Sequence, residues 1–266
     1  MSKKKVNESL QKEESLLKEK SLQKESPNKK SIKYQKEAVD IIFLVPGRET
    51  SMTWVVAWSD LIVKCLQANL KIKFITQYNA VVYYARNACL MGNNTAQADQ
   101  ELFGGQFNYK YICWIDSDTL PSFEGLARLI NQDKDIIGGI YKMQNNKDFA
   151  VVKEIDYDYF KKNGHFEFLS VNEAKALCTI NRKSKDIKDT LMEVEYSGFG
   201  FMLIKKGVFE AIKYPWFKPL FFDVPGSDIT EFMSEDASFC QTAKKLGYKV
   251  FVDFAVQCGH IKSFII

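Results

Sequence analysis

Two carboxylates stand at i and i+2 in Asp116-Ser117-Asp118, directly after the apolar run YICWI. A pair placed at the end of a buried strand faces the cleft beyond the sheet. Without a counter-charge the two acids repel each other and resist ionisation. A divalent cation, Mn2+ or Mg2+, resolves that conflict through oxygen ligation and keeps positions for phosphate oxygens and water. Such an ion can also neutralise the charge on a departing diphosphate. The plain alternative is a strand-end turn in which Asp118 caps the next helix. His260, one of two histidines, follows Gly259 after a strand and offers an imidazole to the same ion. It reads equally as a loop histidine. His165, in KKNGHFEF, reads as an exposed turn residue with no role.

Glu235-Asp236 opens a helical pattern. Acids in a first turn complement the helix dipole, and that alone accounts for both. In chemistry, Asp236 suits a general base for an acceptor hydroxyl, although a helix N-terminus is expected to lower its pKa and weaken it. Arg48, Arg86 and Lys142 lie after strands or on an early helix, where each can meet phosphate or base. Arg86-Asn87 interrupts an otherwise apolar helix face, so an interior salt bridge is the competing reading.

These residues need a scaffold that brings them to one edge. VDIIFLV, Val39 to Val45, is a continuous apolar run of the kind that forms a buried parallel strand, broken by Pro46-Gly47. A helix is predicted from Thr53 to Ala68, and a strand from Lys71 to Ile75. Asn79 caps a helix that runs to Met91 and stops at Gly92. Tyr111 to Ile115 is a strand, Pro121-Ser122 opens a helix through Ile130, and Asp135 to Ile140 is a further strand. The order β-α-β-α-β-α-β predicts an α/β fold with a mostly parallel sheet, whose ligands bind beyond the carboxyl ends of the strands. Lys147 to Lys188 is polar and aperiodic and reads as an insertion. Val194 to Ile204 is predicted as one strand holding Gly198 and Gly200, glycines that mark a close approach. A short helix from Lys206 to Lys213 and an aromatic loop from Phe217 to Ser234 follow. Ser234 caps a helix from Glu235 to Leu246, Gly247 ends it, and Tyr248 to Val252 is the last strand.

The chain has 266 residues, 46% hydrophobic and 26% charged, enough for a sizeable core. Its net charge of +4 sits in the lysine-rich first thirty residues. Residues 1–36, in which SLQKE starts at Ser9 and again at Ser21, are predicted to be a charged tail, disordered or fluctuating as a helix. The near-neutral remainder, 37–266, gives no general case for nucleic-acid binding. The six cysteines show no CxxC spacing, and no signal peptide or membrane span is read, so a cytoplasmic chain with reduced thiols is expected.

Three further stretches, with the opening VDIIFLVPGRET, carry a resemblance: WIDSDTLPSFEGLARLI, SGFGFMLIKKGVFEAI and SEDASFCQTAKKLGYKVFVDFAVQCGHI. In order and separation they resemble glycosyltransferases of the GT-A fold, close to the family 2-like group, over roughly residues 38 to 262. The resemblance implies a metal-dependent transfer of sugar from a nucleoside-diphosphate sugar to an acceptor hydroxyl by direct displacement. The acceptor, whether glycan, protein or small molecule, is left open. Asp116, Asp118 and His260 would hold the metal, and Asp236 would be the base with Glu235 beside it. Pro46, Arg48, Arg86, Asn87, Ser117, Lys142 and Gly198 would lie along the donor. Compact chains of this kind also occur in viral genomes, so a virus-encoded origin is compatible. Two rival readings are a haloacid dehalogenase-like phosphatase and a non-catalytic nucleotide-sugar-binding protein. The phosphatase motif needs Thr or Val where this chain has Leu120.

Overall fold

The apolar run at the start of the globular part is buried on both faces of its strand. A computed structural model describes residues 36–91, 99–181 and 190–262. The predicted tail, apart from Lys36, and the helix stop at Gly92 lie outside them. Strand β1 (Glu37–Pro46) alternates its side chains between two helical layers. Ile41, Phe43 and Val45 pack with Trp54, Leu61 and Cys65 of α1 (Met52–Gln67). Ile42 and Leu44 pack with Cys89 and Leu90 of α2 (Val82–Met91). Each fully buried aliphatic or aromatic side chain contributes about 1.5–3 kcal/mol relative to exposure.

Strands β2 (Ile72–Gln77) and β3 (Phe107–Ile115) pair with β1 in parallel, one on each side. Strand β4 (Thr119–Leu120) follows the DSD turn, and α3 (Phe123–Asn131) returns to β5 (Ile136–Tyr141). Helices α1 and α3 start from serines that accept backbone N–H bonds: Ser51 Oγ from Trp54 at 3.1 Å and Ser122 Oγ from Gly125 at 3.1 Å.

The polar stretch read as an insertion contains β6 (Val151–Val152), α4 (Tyr157–Asn163) and α5 (Val171–Asn181). Its short elements gave little periodic signal. The predicted strand from Val194 to Ile204 is three pieces: β7 (Leu191–Val194), β8 (Tyr196–Ser197) and β9 (Phe201–Lys205). Strand β9 lies between β3 and β5, antiparallel to both. A four-residue helix α6 (Val208–Ala211) follows. The aromatic loop contains a hairpin, β10 (Phe221–Asp223) with β11 (Thr230–Phe232). Helix α7 (Glu235–Lys245) leads to β12 (Val250–His260). The main sheet has the order β2-β1-β3-β9-β5-β12-β4, with β7 also on β12. It is a mostly parallel central sheet between helices, as the α/β reading requires.

The predicted last strand stops at Val252, but β12 continues to His260 through a bulge. Asp253 pairs with Gly139, and the next pair on β5 is Gln257 with Ile140, so residues 254–256 have no partner there. The bulge fits because residue 139 is glycine: a Cβ there would lie 2.7 Å from Val256 Cγ1 and 2.9 Å from its carbonyl oxygen. At the bulge, fully buried Asp253 accepts from Arg128 Nε at 2.8 Å, Gln132 Nε2 at 2.6 Å, Thr190 Oγ1 at 2.7 Å and its own chain at Ala255 N, 2.9 Å. Removing the carboxylate strands these donors. Asp253→Ala is expected to lower the unfolding free energy by about 3 kcal/mol, read as a lower urea midpoint at constant slope. A loss below about 1 kcal/mol, the range of a surface pair, would make the network dispensable.

Candidate functional site

The parallel strands deliver their carboxyl ends to one edge, where the backbone stops pairing and side chains face open space. Pro46, Arg86, Asp116, Ser117, Asp118 and Glu235 line one cleft there, about 320 Å³ in volume. Arg48 lines an adjoining hollow with Ser117 and stays exposed, its guanidinium 6.0 Å from the Tyr78 ring centre. Lys142, Gln257, His260 and Lys262 line a second cleft of about 330 Å³ that meets the first at the Asp118–His260 pair.

The DSD turn is fixed through its carbonyls. Asp116 O accepts from Trp54 Nε1 at 3.1 Å and from Thr119 N at 3.0 Å. Ser117 O accepts from Thr50 Oγ1 at 2.6 Å, and Asp118 O from Ile261 N at 2.7 Å. The side chains are thereby held apart for different partners.

Arg86 is 3% exposed and bridges two acids: Nε donates to Glu235 Oε1 at 3.0 Å and Nη2 to Asp116 Oδ1 at 3.1 Å. Its guanidinium lies 5.3 Å from the Trp114 ring centre, 5.0 Å from that of Phe199 and 6.0 Å from that of Phe217. The interior salt bridge weighed for this residue is thus present. Burial raises the Asp116 pKa, with Arg86 opposing that shift.

Asp118 takes a different set. Its Oδ2 accepts from Lys262 Nζ at 2.8 Å and lies 3.1 Å from His260 Nε2. Burial works against its charge, but the bonds to His260 and Lys262 prevail and bring its pKa down to about 2. His260 Nδ1 is 2.5 Å from the Lys142 carbonyl oxygen. A carbonyl only accepts, so Nδ1 donates to it; burial works against a charged ring, but the bonds to Asp118 and to the Lys142 carbonyl prevail and raise the His260 pKa. A protonated ring donates from Nε2 to Asp118, whereas a neutral ring with its proton on Nδ1 leaves the Nε2 lone pair and the carboxylate free to share a cation. One carboxylate and one imidazole suit Mn2+. Among the described residues no three His, Cys, Asp or Glu side chains converge, because Asp116 is directed at Arg86. Asp118 and His260 are the side chains here that could hold a metal, and such an ion would keep positions for phosphate and water.

Asp236 is the second residue of α7, where Oδ1 accepts from Ala237 N at 2.7 Å and from the Ser234 hydroxyl. Ser234 occupies the predicted cap position but spends its hydroxyl on Asp236, making no cap bond. The expected lowering of the Asp236 pKa is reversed. Burial and the neighbouring Glu235 charge push it up to about 6, against the bonds from Ser234 and Ala237.

Three predicted donor contacts have other placements. Asn87 is buried, and its amide staples α2 to the chain beyond: Nδ2 donates to Tyr83 O at 2.8 Å and Phe217 O at 2.6 Å, while Oδ1 accepts from Phe217 N at 3.2 Å. The close approach at Gly198 is made by Tyr141, whose Oη would lie 1.9 Å from a Cβ there. Lys142 reaches the site through its carbonyl, its side chain being exposed. Residues missed by sequence reasoning include Thr50 and Trp54, for which no signal exists, and Tyr83, whose hydroxyl donates to Met233 O just ahead of the acids. Lys262 was legible in principle, two residues past His260 on the same strand path.

No protein-family model matches the chain, and no curated protein matches it. Among solved structures, GalNAc-T7, solved with UDP, GalNAc and Mn2+, superposes over 87% of this chain with a TM-score of 0.50 at 10% identity. The match covers 45% of the GalNAc-T7 chain, so this chain spans under half that length. A197 from STIV matches 84% of this chain and 86% of its own at 17% identity, with a TM-score of 0.48. At 10% identity the GalNAc-T7 likeness shows the fold alone, which is of the GT-A type. Among the described residues no helix is long and apolar enough to cross a membrane.

If Gly198 serves the Tyr141 contact, Gly198→Ala costs about 1–3 kcal/mol through overpacking, read as a lower melting temperature. An unchanged melting temperature with weakened nucleotide binding would restore it as a donor contact.

Proposed function

We propose that the chain is a glycosyltransferase that moves a sugar from a nucleoside-diphosphate donor to an acceptor hydroxyl by direct displacement. One observation carries this reading: an Asp118–His260 pair able to ligate a cation and a carboxylate with a pKa raised to about 6, Asp236, stand at the same sheet edge. A divalent cation held by Asp118 and His260 would supply positive charge to the diphosphate as it leaves. Pro46, Arg48 and Ser117 border the space where the nucleotide would lie. Asp236 takes the proton of the acceptor hydroxyl as its oxygen bonds to the anomeric carbon, and the bond from that carbon to the phosphate oxygen breaks. Glu235, tied to Arg86, positions the base by fixing the first turn of α7. The GalNAc-T7 likeness supports the fold this reading needs.

The phosphatase reading is disfavoured because it requires a free nucleophilic carboxylate at the first aspartate, whereas Asp116 is bonded to Arg86 at 3.1 Å. A non-catalytic binding role gives no reason for a base near neutrality at Asp236.

Asp118→Asn is expected to keep the fold, judged by circular dichroism, and to lose Mn2+-dependent release of nucleoside diphosphate by at least about 100-fold. A fully active variant would discard the assignment.

Asp236→Asn is expected to retain Mn2+-dependent donor binding and to lower transfer about 100- to 10,000-fold. The wild-type rate should rise with pH through about 6 as Asp236 ionises. Because the folded pKa lies above the ordinary aspartate value of 3.8, ionisation costs folding free energy as pH climbs from there to about 6. Asp236→Asn should therefore gain stability relative to wild type above pH 6. A flat pH profile, or a stability difference of opposite sign, would contradict this role.

A further inference from the structure

The chain already places a cation of its own at Asp118. Lys262 Nζ lies 2.8 Å from Asp118 Oδ2, the oxygen that also faces His260 Nε2 at 3.1 Å. Nδ1 of His260 is committed to the Lys142 carbonyl, so a cation that takes Nε2 together with Asp118 Oδ2 meets the Lys262 ammonium on that same oxygen. The pair is not sealed: the Lys262 side chain is 32% exposed and that of Asp118 42%. An ion pair this open is weakly held and readily exchanged. The contrast with Arg86 is direct, since that guanidinium is buried, shares two acids and cannot leave without stranding them. Lys262 also lines the 330 Å³ cleft beside His260, so its four-carbon stem has room to swing away from Asp118 and stay next to the site.

We propose that the Lys262 ammonium is an internal stand-in for the divalent cation at Asp118, displaced when the cation binds and then available to the donor's diphosphate, so that cation and nucleotide strengthen each other's binding. The proposal rests on the reading of Asp118 and His260 as cation ligands. It has two opposed consequences. Lys262 competes with the cation when no nucleotide is present, because both need the same oxygen. It assists the nucleotide once the cation is in place, because a released ammonium beside a diphosphate forms charge-assisted bonds. The linkage is reciprocal: whatever factor the nucleotide adds to cation affinity, the cation adds to nucleotide affinity.

The test compares the wild type with Lys262→Met, Lys262→Arg and a charge-matched control, Lys249→Met, whose lysine pairs with Glu193 on the exposed surface. Mn2+ binding is followed by electron paramagnetic resonance of the free ion, alone and with saturating UDP, ADP or GDP. UDP, ADP and GDP binding is followed by calorimetry with and without Mn2+. Melting curves confirm that each variant is folded. Lys262→Met should bind Mn2+ alone about fivefold more tightly, bind the nucleotide–Mn2+ combination more weakly, and show a smaller mutual enhancement. Lys262→Arg and Lys249→Met should stay near wild type. Unchanged Mn2+ affinity in Lys262→Met, or no Mn2+ binding in either protein, overturns the proposal. Tighter Mn2+ with no nucleotide binding by the wild type keeps Lys262 as competitor, removes its second role and sinks the glycosyltransferase reading separately.

Discussion

Arg86 is sealed beneath Trp114, Phe199 and Phe217 and meets Asp116 on one side and Glu235 on the other. Taking a guanidinium out of water costs several kcal/mol, and this is recovered only if its charge is matched at close range. Two carboxylates and three aromatic faces provide the match. The acids, in turn, tolerate their burial because the same cation neutralises both. The end of β3 and the start of α7 are therefore locked together by charge, and every other feature of the edge is placed relative to that lock. It also separates the two acids of the DSD turn: Asp116 meets Arg86 through Oδ1, while Asp118 meets the partly exposed Lys262.

The same arrangement explains how Asp236 departs from the usual behaviour of an acid at a helix start. The dipole and the Ala237 N–H favour its charge, but partial burial and the charge of Glu235 outweigh them. Glu235 is itself held in position by Arg86. A residue with no proposed contact to an acceptor thus fixes the environment of the one that has it.

Much of the scaffold was legible from the sequence because both faces of β1 and β3 are covered, and unbroken apolar runs such as VDIIFLV and YICWI announce that. The edge position of Asp116, Asp118 and His260 followed from strand order. Less was legible where one glycine or one hydrogen bond decides the outcome. SGFGF looked like a strand because its residues are apolar, yet the residues between β8 and β9 leave the ladder to let Tyr141 in. Asn87 looked like a polar residue seeking a ligand, and its amide is consumed by Tyr83 and Phe217, the latter 130 positions away. Val252 looked like a strand end because alternation fails after Asp253, where the bulge changes the phase.

That change of phase governs where the imidazole goes. Val250, Val252 and Phe254, which opens the bulge, pack into the layer of α2; Val256, which ends it, and Cys258 beyond it lie in the layer of α1. Residues 254–256 are an odd number without partners on β5, so the pleat inverts and even-numbered positions change sides. His260 inherits the inverted parity. One residue added or lost between Gln257 and Gly259 would turn the ring toward the wrong side of the sheet.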